Sequence, residues 1–268
     1  MERLLSTLVL AMALSFHCIA QTSDPAKSIM VIIAHPDDEL LILPLAAKYQ
    51  REGINVRLVI ATDGQKGVVP HFKVPEGESL ATIRRQEAIC AAEVLGLLPP
   101  LFLEMEDGSL AEFGNLSILK EKIKKVIADE RPDLMITWGP EGGYGHPDHR
   151  MVHAVVSEIY QEGCEGCSPM LLFPGFPSEV DLPLENLTTF GAKFIAGNLH
   201  RVRTKFFTHQ IKYSSRDLEL ARKSFACHQS QFDGKTADEI FLLMSLAGNK
   251  VYLRSFHSGA AVSESLFH

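Results

Sequence analysis

Three short stretches of this 268-residue sequence concentrate side chains that can bind a metal or move protons. The first is His35-Pro36-Asp37-Asp38-Glu39, the second Thr62-Asp63-Gly64-Gln65-Lys66-Gly67, and the third runs from Gly139 to His149, closing on Tyr144-Gly145-His146-Pro147-Asp148-His149. Imidazole and carboxylate together suit Zn2+ or a similar divalent ion. His35 and Asp38 are three apart, so a single turn places both on one side and leaves Asp37 free. His146 and His149 repeat that spacing. A catalytic zinc site keeps three protein ligands and an open position for water, so the surplus candidates are available for acid–base work. One His-Pro or Asp-Asp at a strand end is usually a cap or a turn. Two clusters, each opened by His-Pro-Asp, fit ligation better. His153, one turn beyond His149, reads as a partly buried helix histidine. Gly64 and Gly67 would suit a phosphate-cradling turn, but no Walker or G-x-G-x-x-G pattern accompanies them, which disfavours nucleotide binding.

Elements of alternating type must position these clusters. Ser28 to Ala34 is a continuous apolar run rich in Ile and Val, as in a strand buried on both faces. A helix from about Leu40 to Gln50, a strand at Asn55–Ala61 and a helix over Leu80–Leu95 follow, the last stopped by Gly96 with Pro99 and Pro100 beyond. A strand at Pro100–Met105, a helix at Ile118–Glu130 and a strand at Asp133–Trp138 continue the alternation. The pattern predicts an α/β fold: a Rossmann-like, mostly parallel sheet flanked by helices in a single domain, here residues 28–268. In such sheets ligands bind at the carboxyl ends of strands, and all three clusters begin there. Further on, Phe173–Pro183 reads as a loop, Lys193–Ala196 and Val251–Phe256 as strands, and Arg216–His228 and Ala237–Leu246 as helices.

Composition narrows the setting. With 46% hydrophobic and 22% charged residues the chain is that of an ordinary globular protein. A net charge of −7 without a Lys/Arg run argues against nucleic acid or an anionic membrane as the main partner. Residues 1–20 have a charged start at Arg3, an apolar stretch from Leu4 to Ile19 and small or polar residues around Ala20, and read as a signal peptide. Cleavage is favoured over an uncleaved anchor or a lipidated Cys18, so the mature chain is expected to be exported, periplasmic or extracellular, with no stable membrane span. Export makes disulfides possible. Cys164-x-x-Cys167 is either a local disulfide or half of a metal site, while Cys90 and Cys227 read as buried small hydrophobes. Homo-oligomerisation is left open.

At this point the sequence resembles the PIG-L/LmbE family of metal-dependent N-acetylglucosaminyl deacetylases. The likeness rests on the Ala34–Glu39 block (AHPDDE) and the Gly143–His149 block (GYGHPDH), with weaker matches at Thr62-x-Gly64-x-x-Gly67, Arg84-x-x-Glu87 and His228-x-Ser230-Gln231. The resemblance implies one catalytic Zn2+, or another divalent ion, held by His35, Asp38 and His149. It implies Asp37 as general base, His146 facing the oxyanion with Asp148 orienting it, and an assisting Tyr144. Arg84 and His228 become candidate substrate contacts. The implied reaction removes the acetyl group from an N-acetylglucosamine-type amino sugar, a small molecule or an oligosaccharide. Two rivals stand beside it: an amidase or esterase of the same mechanism on a non-sugar acyl group, and a non-catalytic zinc- or carbohydrate-binding protein on the same scaffold.

Overall fold

The structure, a computed structural model, describes residues 27–257 and 262–267. The expected leader over residues 1–20, Cys18 included, lies outside them. Strand β1 (Ser28–Ile33) passes through a 3-10 turn at Asp38–Ile42 into α1 (Leu43–Arg51). The chain then alternates β2 (Asn55–Thr62), α2 (Glu78–Leu95), β3 (Leu98–Met105), α3 (Phe113–Glu130), β4 (Leu134–Thr137), α4 (Pro147–Glu162) and β5 (Met170–Pro177). It ends with α5 (Phe190–Asn198), β6 (Arg201–Val202), β7 (His209–Lys212), α6 (Ser215–Phe225), α7 (Gly234–Ser245) and β8 (Lys250–Ser255).

One eight-stranded sheet organises the chain, in the order β3-β2-β1-β4-β5-β8-β7, with β6 pairing β5 off this path. β1 to β5 are parallel, and β8 runs antiparallel between β5 and β7. The expected mostly parallel α/β sheet is therefore present. Period-two alternation divides the apolar residues between its faces. Ile29, Val31 and Ile33 join Leu58, Ile60 and Ile136 under α1, α2, α6 and α7, whereas Met30, Ile32 and Ala34 join Val59 and Met135 under α3 and α4. Each such residue withdrawn from water contributes about 1.5–3 kcal/mol. Strand order reverses at β1, because the chain moves outward to β3 and then returns to β4 on the other side. Such a switch point opens a crevice at the carboxyl ends of β1 and β4.

Two expected elements differ. Residues 173–177, read as loop, belong to β5, because the buried run Leu171-Leu172-Phe173 outweighs the prolines. Pro174 fits because pairing with β4 ends at Leu172, so no sheet partner on that side needs its missing N–H. Lys193–Ala196, read as strand, is the middle of α5, capped by the Thr189 side chain accepting from Ala192 N–H. The cysteines also depart in part from expectation. Cys90 and Cys227 are not buried hydrophobes but a disulfide joining α2 to the segment after α6, and Cys164 pairs with Cys167.

Candidate metal and catalytic site

β1 delivers His35 to the sheet edge, and the turn that follows is bent back tightly. Asp38 folds its carboxylate onto the backbone N–H groups of Ala34 and His35, at 3.0 and 2.8 Å, and receives a third hydrogen bond from Trp138 Nε1 at 3.2 Å. β4 delivers Trp138, and the glycine-rich loop after it delivers α4. His146 is the cap residue of α4, its Nδ1 accepting from Asp148 N–H at 3.2 Å, with Pro147 at the first helical position. His149 therefore falls in the first turn, fully buried and stacked on Trp138 with ring centroids 4.3 Å apart.

These elements bring three candidate ligand side chains together. His35 Nδ1 lies 3.2 Å from His149 Nε2 and 3.4 Å from Asp38 Oδ2, and His149 Nε2 lies 3.1 Å from Asp38 Oδ1. Bonds of 2.0–2.1 Å to a tetrahedral ion place neighbouring ligand atoms about 3.3–3.4 Å apart, close to this spacing. The far nitrogen of each ring shows which lone pairs are free. His149 Nδ1 lies 3.1 Å from the carbonyl of Gly142, and His35 Nε2 lies 3.1 Å from Asp107 and 3.4 Å from Asp148. With a proton on each far nitrogen, the near nitrogens face each other as acceptors, an arrangement that a cation between them would satisfy. The donor set fits a divalent metal. His146 also lies close enough to be counted with His35 and His149 as a metal-holding group. Its Nδ1 lone pair, however, is spent on Asp148 N–H, which leaves Nε2 as a donor.

Asp37 differs from its neighbour. Its backbone sits at φ 97°, in the left-handed region that non-glycine residues rarely adopt. Glu39 holds it there by accepting from Asp37 N–H at 3.1 Å, and Glu39 is itself paired with His228 Nε2 at 2.6 Å, both side chains fully buried. Arg84 closes the other side, donating to Asp37 at 3.1 Å, to the carbonyl of Pro36 at 2.6 Å and to that of Gly64 at 2.8 Å. A Cβ at Gly64 or Gly67 would collide with this guanidinium. The glycine motif thus makes room for an arginine and not for a phosphate. Burial pushes the Asp37 carboxyl up to about 6, against the pull of Arg84. Asp38, whose burial alone would also raise it, is held well below the usual carboxylate range by His149 and His35.

Several expected roles change. Arg84 and His228 do not reach the substrate side; both are buried behind Asp37 and serve to position it. Asp148 does not orient His146 through its carboxylate. That carboxylate accepts from Gly108 and Leu110 N–H at 2.7 and 3.2 Å and faces His35. Burial, then His35 and His149, lower the His146 pKa, which favours the neutral ring. Tyr144 lines the cavity beside Asp37 and Asp38, and burial raises its hydroxyl well above the usual phenol range, so it stays protonated. His153 Nδ1 donates to the Trp138 carbonyl at 2.8 Å, as a partly buried helix histidine does. Asp107 and Glu39 were not singled out from the sequence. Asp107 held a signal, since Glu106-Asp107-Gly108 follows the carboxyl end of β3, the kind of position at which the three clusters begin.

The fold thus gathers a His/Asp group that could hold a metal ion at the switch point of a mostly parallel α/β sheet. Residues 30–160, which contain His35, Asp38 and His149, match the family model described as PIG-L: GlcNAc-PI de-N-acetylase. Among curated relatives, the 1D-myo-inositol 2-acetamido-2-deoxy-alpha-D-glucopyranoside deacetylase 2 of Catenulispora acidiphila is 30% identical over 164 residues, 53% of this chain and 54% of the relative. The chain spans about half the length of the curated relatives it matches. Among solved structures, N,N'-diacetylchitobiose deacetylase from Pyrococcus horikoshii aligns with a TM-score of 0.63 at 20% identity, covering 87% of this chain and 83% of that one. The 4-carboxy-2-hydroxymuconate hydratase of Pseudomonas putida KT2440 aligns equally well, TM-score 0.63 at 16% identity, covering 90% and 99%. The last two comparisons speak for the fold alone, which evidently carries more than one chemistry.

Proposed function

We propose that this protein is a metal-dependent N-deacetylase acting on an N-acetylglucosamine-type amino sugar or its conjugate, with Zn2+ the ion that His35, Asp38 and His149 hold. One observation carries the reading: an unligated, partly protonatable carboxylate, Asp37, is fixed beside three converging ligands. A metal-binding module has no use for it. When bound, the ion polarises an acetyl carbonyl and makes water more acidic. Asp37 accepts the proton of the attacking water, and a carboxyl near 6 is matched to that task at neutral pH. His146 donates Nε2–H to the carbonyl oxygen as negative charge builds there, a role a neutral ring performs. As the C–N bond breaks, Asp37 passes its proton to the departing nitrogen, giving acetate and the free amine. Arg84 and Glu39 keep the base in its unusual backbone conformation throughout.

Export accords with two disulfides, which persist in oxidising compartments. No helix among the described residues is long and apolar enough to cross a membrane. Incubating the zinc-loaded protein with acetylated amino sugars and following the loss of one acetyl mass tests the activity. Hydrolysis of simple acyl amides or esters in preference to every amino sugar would move the assignment to the amidase rival. Hydration of an alkene substrate without acyl transfer would move it to the chemistry of the hydratase relative.

A further inference from the structure

A cavity of about 530 Å³ opens directly from Asp37, Asp38 and Tyr144. From these groups and the fold around them, we infer that the substrate is a glycoside with an apolar aglycone, an alkyl or aryl group at the anomeric carbon, seated in this cavity. The inference rests on the deacetylase reading. Cavities of about 300–1,000 Å³ take a drug-sized molecule, more than a lone sugar ring requires. The two arms of an amide leave its carbonyl in opposite directions. When the acyl arm is only acetyl, the sugar and whatever it carries must occupy the larger space.

The walls decide what that passenger is. Leu41, Val68, Phe190, Phe194, Ile195 and Phe232 line the cavity. Aromatic rings mark a path outward: Tyr144 lies 5.2 Å from His149, Phe194 5.6 Å from Tyr144, and Phe190 stacks 6.2 Å beyond Phe194. Phe190 is 79% exposed, Val68 53% and Phe194 43%, a clustered apolar rim at the mouth of a site. Rings of this kind also stack against sugars, but a saccharide subsite needs free hydrogen-bonding groups as well. Beyond the catalytic end, where Tyr144 keeps its hydroxyl, the polar side chains already hold partners. Thr189 Oγ1 donates to Glu239, Gln231 Nε2 donates to the Gly67 carbonyl, Asp233 accepts from Thr236 N–H, and His71 pairs with the Gln229 carbonyl. No Lys or Arg lines the cavity, which removes the usual partner of a phosphorylated aglycone.

The test uses the zinc-loaded protein and a series of N-acetylglucosaminides with methyl, butyl, hexyl and octyl aglycones, all below their micellar concentrations. kcat/KM is expected to rise about threefold to fourfold per buried methylene until the cavity fills. Phe190→Ser and Phe194→Ala are each expected to cut the octyl-to-methyl ratio at least tenfold. Equal turnover of all four glycosides would overturn the inference while leaving the deacetylase reading intact. So would a preference for N,N'-diacetylchitobiose over the octyl glycoside, or a chain-length gain that appears only when the chain is moved to the N-acyl group. Calorimetric binding of methyl and octyl glucosaminide, the deacetylated products, separates the two readings. If nothing is deacetylated yet the octyl compound binds at least tenfold tighter and Phe194→Ala abolishes the difference, the apolar cavity stands and the reaction assignment falls.

Discussion

Asp37 and Asp38 are adjacent carboxylates with opposite surroundings. Hydrogen bonds and two imidazoles keep Asp38 charged and fixed for ligation, whereas burial lifts Asp37 towards neutrality. Neighbouring groups driven apart in this way take different roles. Asp37→Asn is therefore expected to keep full metal content and lose about two to four orders of magnitude in kcat. His149→Ala should lose metal and activity together. Metal analysis beside steady-state rates reads both; a His149→Ala protein with full metal would return the ligand position to His146. The Glu39–His228 pair makes a separate claim. Removing one partner of a buried ion pair costs about 3–5 kcal/mol, so His228→Ala should lower Tm by at least about 6 °C. Scanning calorimetry checks it, and an unchanged Tm would mean that the buried Glu39–His228 contact adds no net stability. The convergence of His35, Asp38 and His149 was legible in the sequence because two compact motifs sit at strand ends, while the choice of these three among the candidates came from the family resemblance. The Glu39–His228 contact was not, since its partners are 189 residues apart and each alone looks like ordinary core or helix.

At the scale of elements, short apolar runs caused the misreadings. Lys193–Ala196 is too brief for periodicity to separate helix from strand, and the cap that decides it, Thr189, is tied down by Glu239 fifty residues away. The glycine loop before α4 is more informative. Gly143 has φ +66°, and a Cβ there would come within 2.7 Å of the Trp138 ring that stacks on His149. Gly143→Ala should weaken metal binding at least tenfold without touching a ligand, as competition with a chelating dye would show. α6 carries a pH-dependent contribution of its own. Ser214 and Asp217 form a reciprocal cap, and Arg51 donates to Asp217 at 3.1 Å. Burial alone would raise the Asp217 carboxyl, but Arg51 and Ser214 hold it below its ordinary value. Its stabilisation is thus complete above the unfolded carboxyl pKa of about 3.9 and is lost as pH falls through the lower folded value. Asp217→Asn should cost about 1 kcal/mol at pH 7 and progressively less below about pH 4. Urea titrations at pH 7 and pH 3 give the comparison, and an equal deficit at both would assign the effect to packing.

For the molecule as a whole, the switch point at β1 explains why ligands from distant positions meet. His35 and His149 are 114 residues apart, yet both emerge where the strand order reverses. Because Asp38, Asp107 and Asp148 crowd around His35, removing the metal should lower Tm, and restoring it should raise Tm with metal concentration. The Cys90–Cys227 bridge reaches further than its covalent bond. α2 supplies Arg84 and Glu87, and the residues just after Cys227 supply His228 and Ser230, whose N–H and hydroxyl both donate to Glu87. One sulfur link thus clasps the two segments that hold the base in place, and it closes a span of 137 residues, worth up to about 5 kcal/mol in the chain-entropy view. With Cys90 and Cys227 reduced, every residue of the site remains but the clasp is gone, so the hold on Asp37 is expected to slacken under thiol reductants and to return on reoxidation.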